Sequence, residues 1–247
     1  MNHKKEDLGV VYIVSGKFHA AAAIASAKSV RETNPTLKID IFTDVDVDEG
    51  IFDKVHSIPN GHIRSKVDWL EKSRFEKTLY LDSDTRVVND ISQLFRILDK
   101  FDIALAHSHQ RRGSRQNIIW NIQVPEPFPQ VNGGVILYSN RIQVKNFLKD
   151  WSKAYKEAGF KWDQITLREL IWKSALRMYI LPPEYNIRYE KYLNIWDEEE
   201  ARPYILHFAK FYEEISSQPL APKRRDKSLA AKIWQLISRF RGKIKFY

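Results

Sequence analysis

Short apolar segments alternate with helical patterns along the chain, and this alternation constrains the fold more than any other feature of the sequence. Runs rich in β-branched and aromatic residues, which are typical of strands, occupy residues 10–15, 38–43, 77–82, 101–107 and 134–139. Segments with apolar residues three and four positions apart, which are typical of helices, occupy residues 20–32, 63–73, 91–100, 141–158 and 163–174. The alternation predicts an α/β fold, a mostly parallel sheet with helices on both of its faces.

The composition narrows the chemistry that such a fold can carry. The chain has no Cys, so disulfides, thiolate metal ligands and Cys nucleophiles are excluded, and a metal would need Asp, Glu, His or backbone oxygen. With 247 residues, 43% hydrophobic and 29% charged, the chain can bury a sizeable core and is not a disordered protein. The apolar run at residues 8–14 is too short for a signal sequence or a membrane span, so we expect a cytoplasmic protein.

The formal net charge of +9 is concentrated at the end of the chain. Residues 223–247 hold nine Lys or Arg against the single acid Asp226, so the rest of the chain is nearly neutral. A domain that binds nucleic acid spreads basic residues over one face of its body. The sequence therefore predicts no nucleic-acid partner.

The basic tail has the pattern of an amphipathic helix. Its apolar residues recur three and four positions apart, at Leu229, Ile233, Leu236, Ile237 and Phe240. A Pro-containing break at 219–222 suggests a domain at 1–221 and a separate helix at 222–247. We expect residues 223–247 to attract an anionic membrane surface, on the inner face of the membrane. Docking of the helix on the protein's own body is an equal alternative.

Two carboxylates follow the third predicted strand. Asp82 and Asp84 lie one residue apart where the strand ends, and ligands of parallel sheets bind beyond the carboxyl ends of the strands. The strict alternation of side chains relaxes there, so both carboxylates can turn toward one point. Paired carboxylates suit Mg²⁺ or Mn²⁺ and leave coordination positions for phosphate oxygens. A bare Asp-x-Asp occurs about once by chance in a chain of this length, so a polar turn is an equal alternative.

A second acidic cluster begins like a calcium-binding loop at Asp44, Asp46 and Asp48. Such a loop needs Gly at its sixth position and Glu at its twelfth, where this chain has Glu49 and Val55. We therefore interpret the cluster as a solvated loop after the second strand.

The segment around the Asp pair, Ser-Arg-Phe-Glu-Lys-Thr-Leu-Tyr-Leu-Asp-Ser-Asp-Thr-Arg-Val-Val-Asn-Asp-Ile-Ser-Gln-Leu-Phe at 73–95, resembles a known metal site. It is similar to that of family 8 of the nucleotide-sugar glycosyltransferases, the group of glycogenin and the bacterial lipopolysaccharide galactosyltransferases. Five further matches stand in the family's order. They are 11–16 with 27–31, Val-Asn-Gly-Gly-Val-Ile-Leu-Tyr at 131–138, Asp163-Gln164, Pro-Glu-Tyr-Asn at 183–186, and Ile-Leu-His-Phe-Ala-Lys at 205–210. The resemblance covers roughly residues 8–212 and implies the GT-A fold.

The resemblance implies a metal site and a diphosphate contact. Asp82, Asp84 and His207 would bind Mn²⁺ or Mg²⁺, and two carboxylates with one imidazole suit Mn²⁺. Without the resemblance, His207 reads as a core histidine on a strand at 204–208. Lys210 would contact the diphosphate, and its alternative is an ordinary surface lysine.

The resemblance also implies contacts to the donor sugar. Asn132 and Asp163 would bind sugar hydroxyls, and Gln164 would lie beside the anomeric carbon, which makes Asp163 and Gln164 the candidate catalytic residues. The remaining candidate donor contacts are Ser15, Lys66, Ser83 and Gly133. Three alternatives stay open: a turn at 132–134, an N-cap role for Asp163, and a solvated helix face for Lys66.

The expected function is a metal-dependent, retaining transfer of a hexose from a nucleotide diphosphate sugar to a glycan or lipid-linked acceptor. UDP-glucose and UDP-galactose are the expected donors, although Gly16-Lys17-Phe18 replaces the family's usual Asp or Asn contacts to the base. A long polar, Pro-rich segment at 108–130 is expected to shape acceptor choice.

Two other functions are alternatives to this glycosyltransferase. A sugar nucleotidyltransferase should have a Gly-rich loop with a basic residue directly after the first strand, which Ser15-Gly16-Lys17-Phe18 does not supply. A non-catalytic glycan- or membrane-binding module with a GT-A fold stays open, although intact Asp82, Asp84 and His207 argue against a degenerate site.

Overall fold

The computed structural model describes residues 7–47, 50–111, 118–197 and 199–216. The predicted tail helix at 222–247, with the residues expected to attract a membrane, lies outside this part of the chain, as do Asp48 and Glu49 of the acidic cluster. No helix among the described residues combines the length and the apolar character needed to cross a membrane.

Nine strands form two sheets in the described part of the chain. In chain order they are β1 Leu8–Val14, β2 Lys38–Thr43, β3 Lys54–Ser57, β4 Lys77–Leu81, β5 Thr85–Val87, β6 Ile103–His107, β7 Val131–Ser139, β8 Met178–Ile180 and β9 Ile205–His207. Seven of them form the central sheet in the order β3-β2-β1-β4-β7-β6-β8, and β5 pairs with β9 in a small antiparallel sheet. Within the central sheet, β7 runs antiparallel to both β4 and β6, while all other pairs are parallel. The predicted mostly parallel α/β sheet is confirmed.

Among the described residues, six α-helices connect and cover the sheets. They are α1 Lys17–Thr33, α2 Lys66–Trp69, α3 Ile142–Ala158, α4 Gln164–Lys173, α5 Lys191–Ile195 and α6 Lys210–Ser216. Three 3-10 helices lie at Leu70–Lys72, Ser92–Asp99 and Pro183–Tyr185. Helix α3 ends at Gly159, whose φ of 61° is the left-handed conformation that glycine adopts without a Cβ penalty.

The core lies on both faces of the central sheet. Along β1, Val10, Tyr12 and Val14 pack into the cluster that includes α1, whereas Val11 and Ile13 pack into the cluster that includes α3 and α4. A strand buried on both faces needs apolar residues at every position, which explains the uninterrupted run in the sequence. The helices therefore cover both faces, as predicted.

The structure departs from the predicted elements in short segments. Strands β3 and β8 are the two edges of the central sheet, and their four and three residues carry too little pattern to be recognised in the sequence. The helix predicted at 91–100 is a 3-10 helix, and the one predicted at 63–73 begins at Lys66 and becomes 3-10 at Leu70.

Candidate active site

A cavity of about 340 Å³ opens where β1 and β4 end and β7 begins. This is the carboxyl edge of the parallel strands, where ligands of such sheets bind. All but one of the predicted site residues line it: Ser15, Lys66, Asp82, Ser83, Asp84, Asn132, Gly133, Asp163, Gln164 and His207. The exception is Lys210, whose Nζ pairs with Glu190 Oε1 outside the cavity lining. Its contact with a diphosphate stays a prediction.

The local backbone explains why the three predicted metal ligands converge. Strand β4 ends at Leu81, and the chain then turns into β5, whose Thr85 pairs directly with His207 of β9. His207 Nε2 lies 3.1 Å from Asp84 Oδ1 and 3.7 Å from Asp82 Oδ2. One ligand atom from each residue lies within 4.8 Å of the others, which fits a single divalent cation.

A chain of hydrogen bonds fixes the orientation of the His207 ring. The Gly134 N–H donates to Asn132 Oδ1 at 2.9 Å, and Asn186 Nδ2 donates to the same oxygen at 3.1 Å. Because a backbone N–H can only donate, the direction of the chain is fixed: Asn186 Oδ1 accepts from His207 Nδ1 at 2.8 Å. Nε2 is then the ring nitrogen that faces the two carboxylates, on the side where a divalent metal would bind.

Replacement of Asn186 by Ala is expected to lower Mn²⁺ affinity about 10- to 100-fold, because the His207 ring loses the acceptor that orients it. Titration calorimetry with Mn²⁺ measures this without any substrate. Asn186→Asp keeps an acceptor for Nδ1 but removes the donor to Asn132 Oδ1, so its Mn²⁺ affinity is expected to lie between those of the Ala variant and the unmodified protein. Equal Mn²⁺ affinity in the Ala variant and the unmodified protein would show that the chain of hydrogen bonds does not position the ligand.

The segment 132–134 is not a turn, since it lies inside β7. A Cβ added at Gly134 would meet His207 Cε1 at 2.2 Å and Asp82 Oδ2 at 2.5 Å. Gly134 therefore leaves the space in which the metal ligands approach each other.

Lys66 is buried, with 5% of its surface exposed, so it does not lie on a solvated helix face. Its Nζ donates to Gly133 O at 2.7 Å and lies 3.2 Å from both Asp82 Oδ1 and Asp163 Oδ2. Burial alone would lower the pKa of Lys66, but the two carboxylates reverse this and hold the pKa above its ordinary value. A charged lysine thus links a metal ligand to a predicted sugar contact. Asp82 Oδ1 also accepts from Tyr80 Oη at 2.6 Å.

Asp163 and Gln164 lie at the start of α4. The Asp163 side chain makes no capping hydrogen bond, and its Oδ2 is buried without an aligned donor among the described residues, so the N-cap alternative is not supported. Gln164 Nε2 donates to Val131 O at 2.8 Å, which holds the amide at the cavity wall.

Arg188 and Tyr212 are among the lining residues that the sequence analysis did not name as candidates. Arg188 Nη1 lies 3.8 Å from Asp84 Oδ2, and Tyr212 Oη lies 3.0 Å from Ser83 Oγ. Neither residue carries a sequence signal of its own, although each follows a recognised motif by two positions.

The described part of the acidic cluster after β2 makes a structural contact with the turn after β1. Asp44 is exposed, and its carboxylate accepts from Ser15 Oγ at 2.5 Å and from Gly16 N at 2.8 Å. These hydrogen bonds lower the pKa of Asp44 and join the turn after β1 to the turn after β2. Ser15 therefore lines the cavity while its hydroxyl donates a hydrogen bond to Asp44.

Comparison with known proteins agrees with this arrangement. GlyE, a glycosyltransferase of Streptococcus pneumoniae TIGR4, superposes with a TM-score of 0.62 at 18% identity, over 94% of this chain and 60% of its own. The galactosyltransferase LgtC, solved with donor and acceptor sugar analogues, gives a TM-score of 0.58 at 15% identity over 97% of both chains. Mouse xyloside xylosyltransferase 1 gives 0.54 at 12% identity, over 81% of this chain and 97% of its own.

These structural likenesses show the fold, which is the predicted GT-A fold. A search among curated proteins finds no match to the sequence. The family model of the nucleotide-diphospho-sugar transferases matches residues 77–214, more than half of the chain, and spans the segment from β4 through α6 that supplies all three predicted metal ligands. The chain therefore belongs to the nucleotide-diphospho-sugar transferases, enzymes that transfer a sugar from a nucleotide sugar.

Proposed function

We propose that this protein is a metal-dependent, retaining glycosyltransferase that moves a hexose from UDP-glucose or UDP-galactose to a glycan or glycolipid acceptor. The observation that carries the proposal is the convergence of Asp82, Asp84 and His207 at one edge of a cavity whose other wall holds Lys66 and Asp163. The donor set of two carboxylates and one imidazole fits Mn²⁺, and Mg²⁺ is the alternative.

A divalent metal bound by these three residues would neutralise charge that builds on the departing nucleoside diphosphate. Lys66 and Arg64 are cationic side chains that line this cavity and would supply the same kind of stabilisation. Asp163 offers its buried carboxylate oxygen to a sugar hydroxyl, which orients the anomeric carbon for attack.

Retention requires either a covalent intermediate or attack from the face that the diphosphate leaves. The amide of Gln164 is a poor nucleophile, and its nitrogen is held by Val131 O. The front-face route therefore suits this cavity better, and trapping of a glycosyl-enzyme by mass spectrometry would contradict it.

Thermal stabilisation by donor and metal together tests the function. UDP, GDP, CDP and TDP sugars are each added with and without Mn²⁺, and a rise in melting temperature is expected only when UDP-glucose or UDP-galactose is combined with the metal. A rise with another nucleotide would correct the base. No rise with any pair would favour the non-catalytic binding module instead.

The proposal includes a domain at 1–221 and a membrane-attached helix at 222–247, on the sequence pattern of the tail. Full-length protein is expected to sediment with anionic liposomes, and a chain ending at Ala221 is not. Equal sedimentation of both would show that the tail does not bind the membrane.

A further inference from the structure

A second cavity of about 230 Å³ adjoins the first. The two share three lining residues, Asn132, Gln164 and Arg188, so a group in the second cavity lies next to the proposed anomeric carbon position. Its other walls come from the ends of the predicted acceptor segment, Ser108 to Gln110 and Gln130, and from Trp162, Ile165 and Tyr189.

The charge in the described lining of this second cavity is positive. No Asp or Glu of the described residues lines it, whereas Arg188 does. Glu190, next to Tyr189 in the chain, is paired with Lys210. Asp84, the carboxylate 3.8 Å from Arg188 Nη1, lines the first cavity and is shared with His207.

His109, which lines the second cavity, lies close to several cationic side chains. Its ring lies against Tyr189, with the centroids 3.9 Å apart, and 5.2 Å from the ring of Tyr192. Burial lowers the pKa of His109, and the charges of Lys191, Arg188 and Arg111 lower it further. Cationic groups therefore act on one wall of the cavity without a matching carboxylate in its lining.

We propose that the second cavity binds a negatively charged sugar residue, one bearing a carboxylate or a phosphate, as the acceptor unit next to the transferred hexose. The naming of this unit as an acceptor rests on the proposed function. Arg188 supplies a planar, fixed cation for the anionic group, and Lys191 adds attraction from the exposed start of α5. Tyr189, which is 41% exposed, and Trp162 offer aromatic surface for the sugar ring.

Binding of simple sugars to the full-length protein tests this inference without any turnover. The probes are methyl glucuronide for the carboxylate, glucose 6-phosphate for the phosphate, and methyl glucoside as the neutral match, followed by ligand-observed NMR titration. At least one charged sugar is expected to bind about tenfold more tightly than the neutral one. The preference between the two charged probes identifies the anionic group.

Matched lysine variants locate the binding. Lys191→Gln is expected to weaken binding of the charged sugar about threefold to tenfold. Lys38→Gln removes the same charge at the opposite, amino end of β2 and is expected to change nothing. Equal affinity for charged and neutral sugars, or unchanged binding in Lys191→Gln, would overturn the proposal.

A binding experiment with added nucleotide distinguishes this inference from the proposed function. Saturating UDP with Mn²⁺ is expected to leave the charged sugar bound, whereas its displacement would place the sugar in the first cavity and overturn the proposal. Charged sugar bound in a protein that no nucleotide sugar stabilises would support the anion site and refute the transferase function.

Discussion

The Asp84→Asn variant is expected to lose glycosyl transfer by at least about a hundredfold and to bind Mn²⁺ far more weakly, while keeping its fold. Asn has nearly the same shape as Asp but lacks the charge, so the change tests the charge alone. Asp84 is 6% exposed and lies 3.1 Å from His207 Nε2, so the change falls inside the candidate metal site.

The electrostatics of Asp84 indicate that its carboxylate is ionised. Burial alone would raise its pKa, but His207 and Arg188 hold the pKa well below the ordinary value of 3.8. A depressed pKa adds stability above pH 3.8 that is lost as the pH falls further through the folded-state value. The stability difference between Asp84→Asn and the unmodified protein should therefore be constant near neutral pH and fade in acid.

Asp46→Asn provides the matched control, since Asp46 belongs to the other Asp-x-Asp pair and is exposed. It is expected to leave Mn²⁺ affinity, measured by calorimetry, and transfer, measured as UDP release, unchanged. Transfer in Asp84→Asn within a few-fold of the unmodified protein would refute the metal site, whatever the melting temperature shows.

The sequence could predict the proximity of Asp82, Asp84 and His207, the candidate metal ligands, for two reasons. Asp82 and Asp84 come directly after β4, which is buried at every position, and the family resemblance supplied His207, which is far away in the chain. The structure adds the reason for their proximity: the pairing of β5 with β9, two strands of three residues each. Such short strands carry no periodicity that a sequence could show.

Contacts between distant side chains could not be predicted in the same way. Arg188 and Tyr212 reach the cavity only because of the packing of segments after β8, and no spacing rule marks them. Lys66 was predicted as a donor contact, but the hydrogen bond and the ion pair that hold it come from Gly133 on β7 and Asp163 next to α4. Burial of a charged residue is set by tertiary packing, so a helical pattern alone leaves a solvated face equally plausible.

The Lys66→Met variant is expected to lose about 3 kcal/mol of unfolding free energy, because it leaves two carboxylates without their shared cation. Asp163 is 2% exposed and cannot be solvated in compensation. The raised pKa of Lys66 means that its charge contributes stability below its ordinary value of 10.5 and that this contribution is lost only as the pH rises further. Urea denaturation at neutral pH therefore measures the full effect.

Lys77→Met is the matched control for this loss. Lys77 is also buried, at 9% exposed, but its partner Asp99 has 46% of its side chain exposed and stays solvated when the lysine is removed. A loss of about 1 kcal/mol or less is expected there. The double variant Lys66→Met with Asp163→Asn should recover part of the stability, since it removes the stranded charge. Equal losses in the two Met variants would mean that Lys66 acts through its aliphatic stem, and that its charge does not hold Asp82 and Asp163, the predicted metal-binding and sugar-binding residues, together.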